Sequence, residues 1–244
     1  MSDLDRSAGA AAADSLRLED AHDLADVETF LTRAKTADPS GAVRISAREV
    51  TLSLTVCLVP GAGLFGAGGV LGLRALRLGE PIAEPVDVVV SIDAVLDRVA
   101  RMKRTGELRL SLPPVQVVAP WAGHAAPRSG WEALGLVEAS AIREVADAGI
   151  TEITQGAGGP GGTAGALAVE DLRRRVWTRP APALGGGPAG LAFGTHILGF
   201  LNPPRGPEAG PVVTDAPREE PTATLYRTGQ WWRLATRAGH VIAR

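Results

Sequence analysis

The chain has one cysteine, Cys57, in 244 residues. No intrachain disulfide can form, so the fold must rest on its core and its hydrogen bonds, and this usage fits a reducing cytoplasm. Lysine is nearly absent: of 25 basic residues, only Lys35 and Lys103 are not arginine. A formal net charge of −2 gives no overall pull towards nucleic acid or an anionic membrane. Aromatic residues are 4% of the chain, so any cluster of them stands out. The start, Met1-Ser-Asp-Leu-Asp-Arg6, lacks the basic stretch and apolar run of a secretory leader, and a cytoplasmic location is expected. The charge-free stretch 50–73 contains six glycines and a proline. Its first half alternates with period two, so it reads as a strand and a glycine-rich loop and no membrane span is expected.

What is present is ordinary for a soluble protein: 45% apolar and 21% charged residues, in a length that suits one large domain or two small ones. Charge is unevenly placed. Residues 1–39 carry nine acids against four bases, whereas 221–244 carry four arginines and no acid.

Residues 1–19 begin rich in Ala, Ser and Asp and are expected to form a disordered tail. Leu24, Val27, Phe30, Leu31 and Ala34 then recur at helical spacing, with Asp20 or Asp23 available as N-cap and Asp38-Pro-Ser-Gly41 as the stop. Val50, Leu52, Leu54, Val56 and Leu58 share one face of a half-buried antiparallel strand. Val86–Val90 is another strand. Ser91 caps a helix with Ile92, Val95, Leu96 and Val99 inward. Leu108, Leu110 and Leu112 alternate, and Val115–Val118 reads as a further extended segment.

Beyond residue 138, Ser140 is read as a helix cap, Ile142, Val145 and Ala146 as its buried face, and Gly149 as its left-handed terminus. Gln155–Gly165 reads as a flexible linker. Residues 168–178 suit a helix with acids early and arginines late. Leu191–Leu201 suits a buried helix, and 203–221 a mobile segment. Thr222–Arg227, Gln230–Thr236 and His240–Ala243 complete a meander. The fold class is α+β: an N-terminal antiparallel sheet with helices (20–119), a connecting aromatic loop (120–137), and a smaller helical part (138–244) ending in a three-stranded β meander. The two parts either share one core or stand apart.

Leu-Val-Pro-Gly at 58–61, Gly-Leu-Arg at 72–74, Ala-Pro-Trp-Ala at 119–122 and Pro-Arg-Ser-Gly-Trp-Glu at 127–132 carry a resemblance. The chain resembles a family of uncharacterised proteins of high-GC Gram-positive (actinobacterial) bacteria. The resemblance implies a cytoplasmic bacterial protein and no particular activity.

The loop around 120–132 gathers Trp121, His124, Arg128, Ser129, Trp131 and Glu132 between prolines and glycines. Such loops often hold function, and these residues are the expected ligand or partner surface. Ser129, His124 and Glu132 have the types of a Ser–His–acid triad, but no G-x-S-x-G pattern surrounds Ser129. The bland reading, a tryptophan-filled seam with Arg128 paired to an acid, is favoured. Gly61-Ala-Gly63-Leu-Phe-Gly66 matches G-x-G-x-x-G, yet the alternating strand before it fits a hairpin loop better than a dinucleotide site. The four histidines, His22, His124, His196 and His240, share no metal-ligand spacing, and no cofactor is expected. On the C-terminal meander, Arg227, Trp231, Trp232, Arg233 and Arg237 interleave aromatic faces with charge, as nucleic-acid contacts do. The helix before them, Leu191–Leu201, has no Arg or Lys with which to read a groove. Three functions follow, in this order: a non-catalytic protein acting through protein–protein interaction or homo-oligomerisation; a nucleic-acid-binding protein using the meander; a small enzyme or ligand-binding protein with its site at the 120–132 loop.

Overall fold

The computed structural model describes residues 15–63, 66–123, 126–158, 165–202 and 221–244. They form an α+β fold with a large antiparallel sheet and a two-stranded one. The chain divides into two compact units, residues 1–57 with 73–123 and residues 58–72 with 124–244.

In the first unit, α1 (Ala21–Ala37) starts at Asp20, whose carboxylate accepts the backbone N–H groups of His22 and Asp23 at 2.7 and 3.0 Å. That satisfies two donors which the first helical turn leaves without partners. Leu24, Val27, Phe30, Leu31 and Ala34 are its buried residues, the face expected from their spacing. Strands β2 (Ala42–Arg48), β3 (Thr51–Val59), β4 (Val70–Arg77, from residue 73 in this unit) and β5 (Val86–Ser91) lie in the order β5-β2-β3-β4. The register sets Ile45 beside Leu54 and Val88. Leu52, Leu54 and Val56 are fully buried, as one face of an alternating strand should be. Arg74 and Asp26 form an ion pair between β4 and α1. After β5, α2 (Ile92–Thr105) buries Ile92, Val95, Val99 and Met102 and stops at Gly106, which has φ 73°; glycine takes that left-handed conformation without a Cβ penalty.

Three expectations need correction here. The tail does not extend to residue 19. Ser15–Arg17 is strand β1, paired with β6 (Arg109–Ser111), and Leu16 and Leu18 are 1% and 0% exposed. Two leucines with a partner strand repay the ordering of that short segment; residues 1–14 lie outside the described residues. Val115–Val118 is not a strand. It makes one backbone bond to β5, from Val117 N–H to Val89 O, and Val118 is 98% exposed. Leu96 is only half-buried, and Ser91 stands at the cap position of α2 without a side-chain capping bond.

In the second unit, β7 (Glu132–Glu138), α3 (Ala139–Gly156), α4 (Ala166–Thr178), α5 (Gly190–Ile197), β8 (Thr222–Thr228), β9 (Trp231–Ala235) and β10 (His240–Ala243) follow one another. Its strands run β4-β10-β9-β8-β7 from the first residues of β4. Helix α5 is buried from Gly190 to Thr195. Its glycines let neighbours close in: a Cβ on Gly194 would lie 2.7 Å from Val241 Cγ1, and one on Gly190 2.5 Å from Val70 Cγ2. The expected long helix through Leu201 ends at Ile197 and continues as turns.

The connecting loop also proves shorter than 120–137, because Glu132–Glu138 pairs with β8 and adds a fourth strand to the meander. Ser140 lies inside the first turn of α3, whose N-cap is Glu138. Gly149 does not end that helix. It is a buried mid-helix residue against Trp177, which is 1% exposed and stacks on Phe193 at 4.4 Å. The absent Cβ makes room for an indole, so the glycine serves close packing and not a left-handed turn. The expected linker 155–165 begins inside α3 at Gln155–Gly156, and its residues 159–164, like 203–220 of the expected mobile segment, lie outside the described residues.

Candidate functional site

The second unit's sheet sorts its side chains by register. Tyr226 faces Arg233 across β8 and β9, and Ala133 faces Tyr226 across β7 and β8. Directly opposed residues of antiparallel strands point to the same side. Leu136 faces Thr224, and Thr224 faces Ala235, so Leu136, Thr224, Tyr226, Arg233 and Ala235 share one face. The other face carries Val137, Ala223, Leu225, Leu234 and Val241, all buried. α5 packs on this core through Gly194, where an added Cβ would lie 2.7 Å from Val241.

On the first of these faces, the Arg233 guanidinium lies between two rings. Its Cζ is 4.3 Å from the centroid of Tyr226 and 4.6 Å from that of Trp131. Trp131 is oriented by its own indole N–H, which donates to Pro127 O at 2.9 Å. The Arg233 Nε is enclosed and has no hydrogen-bond partner among the described residues. No carboxylate lies within 4 Å of the group among the described residues. Burial pushes the Arg233 guanidinium below its usual pKa, against a smaller opposing pull from Tyr226. An aromatic sandwich holds a cation through the ring quadrupoles, but it leaves the outer N–H groups without an anion. Next to it, Arg244 lies 5.5 Å from the Trp231 ring.

Strand β7 stands at the end of the strand order. Its register shifts between Ala133 and Gly135 in a bulge. Leu134 and Leu136 are 45% and 70% exposed. Trp131, Tyr226 and Arg233 are the side-chain types of a binding hot spot, and exposed leucines of the terminal strand lie beside them.

The two groups of residues singled out in the sequence are thus partly merged. Trp131 from the loop meets Arg233 from the meander, while Trp231 lies against Arg244. Arg227 and Trp232 belong to the opposite side, where the guanidinium lies 4.8 Å from the indole centroid and its Nε donates to Gly229 O at 3.2 Å. Arg237 is exposed in the turn between β9 and β10. Arg128 and Ser129 are exposed, and Glu132 is an exposed strand residue opposite Arg227. No hydrogen bond joins Ser129 to Glu132 among the described residues, and His124 lies outside them. Trp121, in the first unit, is half-buried on a 3₁₀ turn, Pro120–Gly123. Arg44 holds that turn by donating to Ala122 O at 3.0 Å while its Nε and Nη2 take both oxygens of Asp87 at 2.7 and 2.6 Å. Leu134, Leu136 and the strand that carries them were not anticipated. The alternation through Val137 was the available signal, obscured by Gly135.

The glycine motif is a hairpin between β3 and β4. Ala62 and Ala67 bond each other's backbone at 2.7 and 2.9 Å, and a Cβ on Gly61 would lie 2.3 Å from Gly66 O. A strand follows it, so it lacks the helix N-terminus on which a pyrophosphate would sit. His196 is 3.9 Å from Asp147 with its side chain 35% exposed. No group of three or more His, Cys, Asp or Glu side chains converges as metal ligands do among the described residues. No helix among them is long and apolar enough to cross a membrane.

Residues 11–123 match the model of one domain of unknown function (DUF8010) and residues 126–244 that of another (DUF8185). A comparison with curated proteins gives no match.

Proposed function

We propose that this is a non-catalytic protein that binds another polypeptide through the aromatic face and terminal strand of its second unit. The observation that carries the reading is Arg233, stacked against Trp131 and Tyr226 with no carboxylate within 4 Å among the described residues. Side chains of these three types dominate interface energetics. The stacking fixes the arginine rotamer before a partner arrives, which lowers the entropy cost of binding. The partner's chemistry follows from the surface: a carboxylate for the outer N–H groups of Arg233, and an apolar side chain against Leu136. A cytoplasmic setting fits the single cysteine.

Nucleic acid is less well served. Arg227, Arg233 and Arg244 each cover a ring of their own chain, which removes those ring faces from base stacking.

A photo-crosslinker in place of Leu136, used in the native host, identifies the neighbour, and the purified pair then gives a Kd. Arg233→Ala should weaken that complex by at least tenfold, the hot-spot range, and Arg128→Ala should leave it unchanged. Sedimentation that shows a dimer broken by Arg233→Ala would assign the surface to a second copy. A monomer without crosslinks, or salt-dependent binding of single-stranded DNA or RNA lost in Arg233→Ala, would overturn the proposal.

A further inference from the structure

The first unit contains a cleft of about 790 Å³ between α2 and the two-stranded sheet, within the size range of small-molecule sites. Met102, 3% exposed, is one of its lining residues. Arg98 and Arg101 enter it from α2, three residues apart and so on one helix face. Ser15 and Ser111 enter it from the sheet as directly paired residues, on the same side as Arg109. Leu16 and Leu110 point the other way into the core. The small sheet therefore holds two hydroxyls and a guanidinium in fixed register against a helix bearing two more.

The charges of this cleft are unequally compensated. Arg109 is paired with Glu80 at 2.6 Å. Arg98 donates one Nη1 bond to Ala94 O at 2.8 Å, and its Nε is enclosed without an acceptor among the described residues. Among the described residues, no carboxylate lies within 4 Å of Arg98 or Arg101. Asp97 and Glu107 also line the cleft, both exposed. They form no ion pair with these arginines, which leaves them as acceptors for hydroxyl or amine groups. Two guanidinia without a direct ion pair, on one helix face of a concave site, match one dianion better than one monoanion, with Asp97 and Glu107 at the exposed positions of the same cleft. A phosphoryl group carries about −1.5 to −2 at neutral pH and accepts forked guanidinium bonds.

We propose that this cleft binds a phosphoryl-bearing small molecule, with Arg98 and Arg101 holding the phosphoryl group and the Ser15 and Ser111 hydroxyls completing its shell. The site lies within the first unit and does not depend on the polypeptide surface proposed above.

The test is titration calorimetry of the full chain with pyrophosphate and, in parallel, with tricarballylate, at constant ionic strength. Saturable pyrophosphate binding should be at least tenfold tighter than that of the tricarboxylate. It should weaken at least tenfold in Arg98→Gln and in Arg101→Gln, and stay unchanged in Arg128→Gln. Arg101 is exposed, so its variant keeps the test interpretable even if Arg98→Gln perturbs folding; circular dichroism melts check both. Equal affinity for the two anions, a tricarboxylate preference, the absence of binding, or binding indifferent to Arg101→Gln would each overturn the assignment.

Discussion

Gly149→Ala gives a prediction in which two physical effects oppose each other. In a helix interior, alanine is ordinarily better than glycine by about 1 kcal/mol. Here the new methyl would stand 2.2 Å from Cζ3 and 2.5 Å from Cη2 of Trp177. That indole cannot swing aside, because it is 1% exposed and stacked on Phe193 at an interplanar angle of 17°. Forcing extra volume into a packed core costs about 1–3 kcal/mol, occasionally more. A contact of 2.2 Å, far inside van der Waals range, puts the steric cost in the upper part of that span, so it exceeds the propensity gain and a net loss of about 1–2 kcal/mol is expected. In a chain of this size that lowers Tm by about 2–8 °C, readable by near-ultraviolet circular dichroism or differential scanning fluorimetry. Gly156→Ala in the same helix is the control. Its new Cβ meets Leu172 Cδ2 at 2.5 Å, the end of a flexible side chain, so it should be neutral or stabilising. Trp177→Leu should make Gly149→Ala harmless, giving a coupling energy in a double-mutant cycle. A Gly149→Ala protein as stable as the parent would refute the packing argument and return Gly149 to a purely conformational role.

Leu54→Asp should yield insoluble or unfolded protein, because Leu54 is 0% exposed and an unpaired charge there costs several kcal/mol; a normal melt from soluble protein would contradict this. Asp20→Ala should lower Tm at neutral pH. Backbone N–H groups of Asp23 and His22 hold the Asp20 carboxylate below its usual value of 3.8. A depressed carboxylate stabilises the fold above its unfolded pKa and loses that contribution as pH falls through the folded one, so the gap between Asp20→Ala and parent should close below about pH 3.8, and a gap constant from pH 7 to pH 2 would count against the cap. NAD(P) and FAD should show no saturable binding to the hairpin at 61–69, and a Kd that rises in Gly63→Ala would restore the fingerprint reading. Arg44→Ala should increase hydrogen exchange at residues 119–123, which the Arg44 bond to Ala122 O tethers, whereas exposed Arg128→Ala should change stability by less than about 0.5 kcal/mol.

Where one element carried its own pattern, the sequence was enough. The buried stripe of α1, its Asp20 cap and the alternation of β3 depend on spacings that a single segment displays. The α+β class and the glycine hairpin followed from the same periodicities. Where a residue's meaning depended on a distant partner, the pattern was silent or misleading. Gly149 reads as a helix terminus until Trp177 is placed against it. Leu16 and Leu18 looked like part of a tail because their partner strand lies at residues 109–111. Val115–Val118 is apolar enough for a strand, but after Pro113-Pro114 and before Pro120 it makes a single backbone bond to β5 and no ladder. The candidate site shows the same limit: Trp131 and Arg233 each drew attention, but nothing local brings them within 4.6 Å.

The hairpin tip at 58–72 has a consequence for how the gene can be divided. The two matched segments abut near residue 124, which invites cutting the chain there. The compact unit that contains the latter segment also includes residues 58–72. From them come Leu58, set against Gly194, Val70, set against Gly190, and the Gly68 and Gly69 backbone groups that bond Arg244. A fragment starting at residue 124 would leave those glycine surfaces bare and its last strand, β10, paired with β9 on one side only, so it should be insoluble when made alone. Co-expression with residues 1–123 should rescue it. Fission or shuffling at that point would separate a hairpin from the unit it completes, so the two segments are expected to be inherited as a pair.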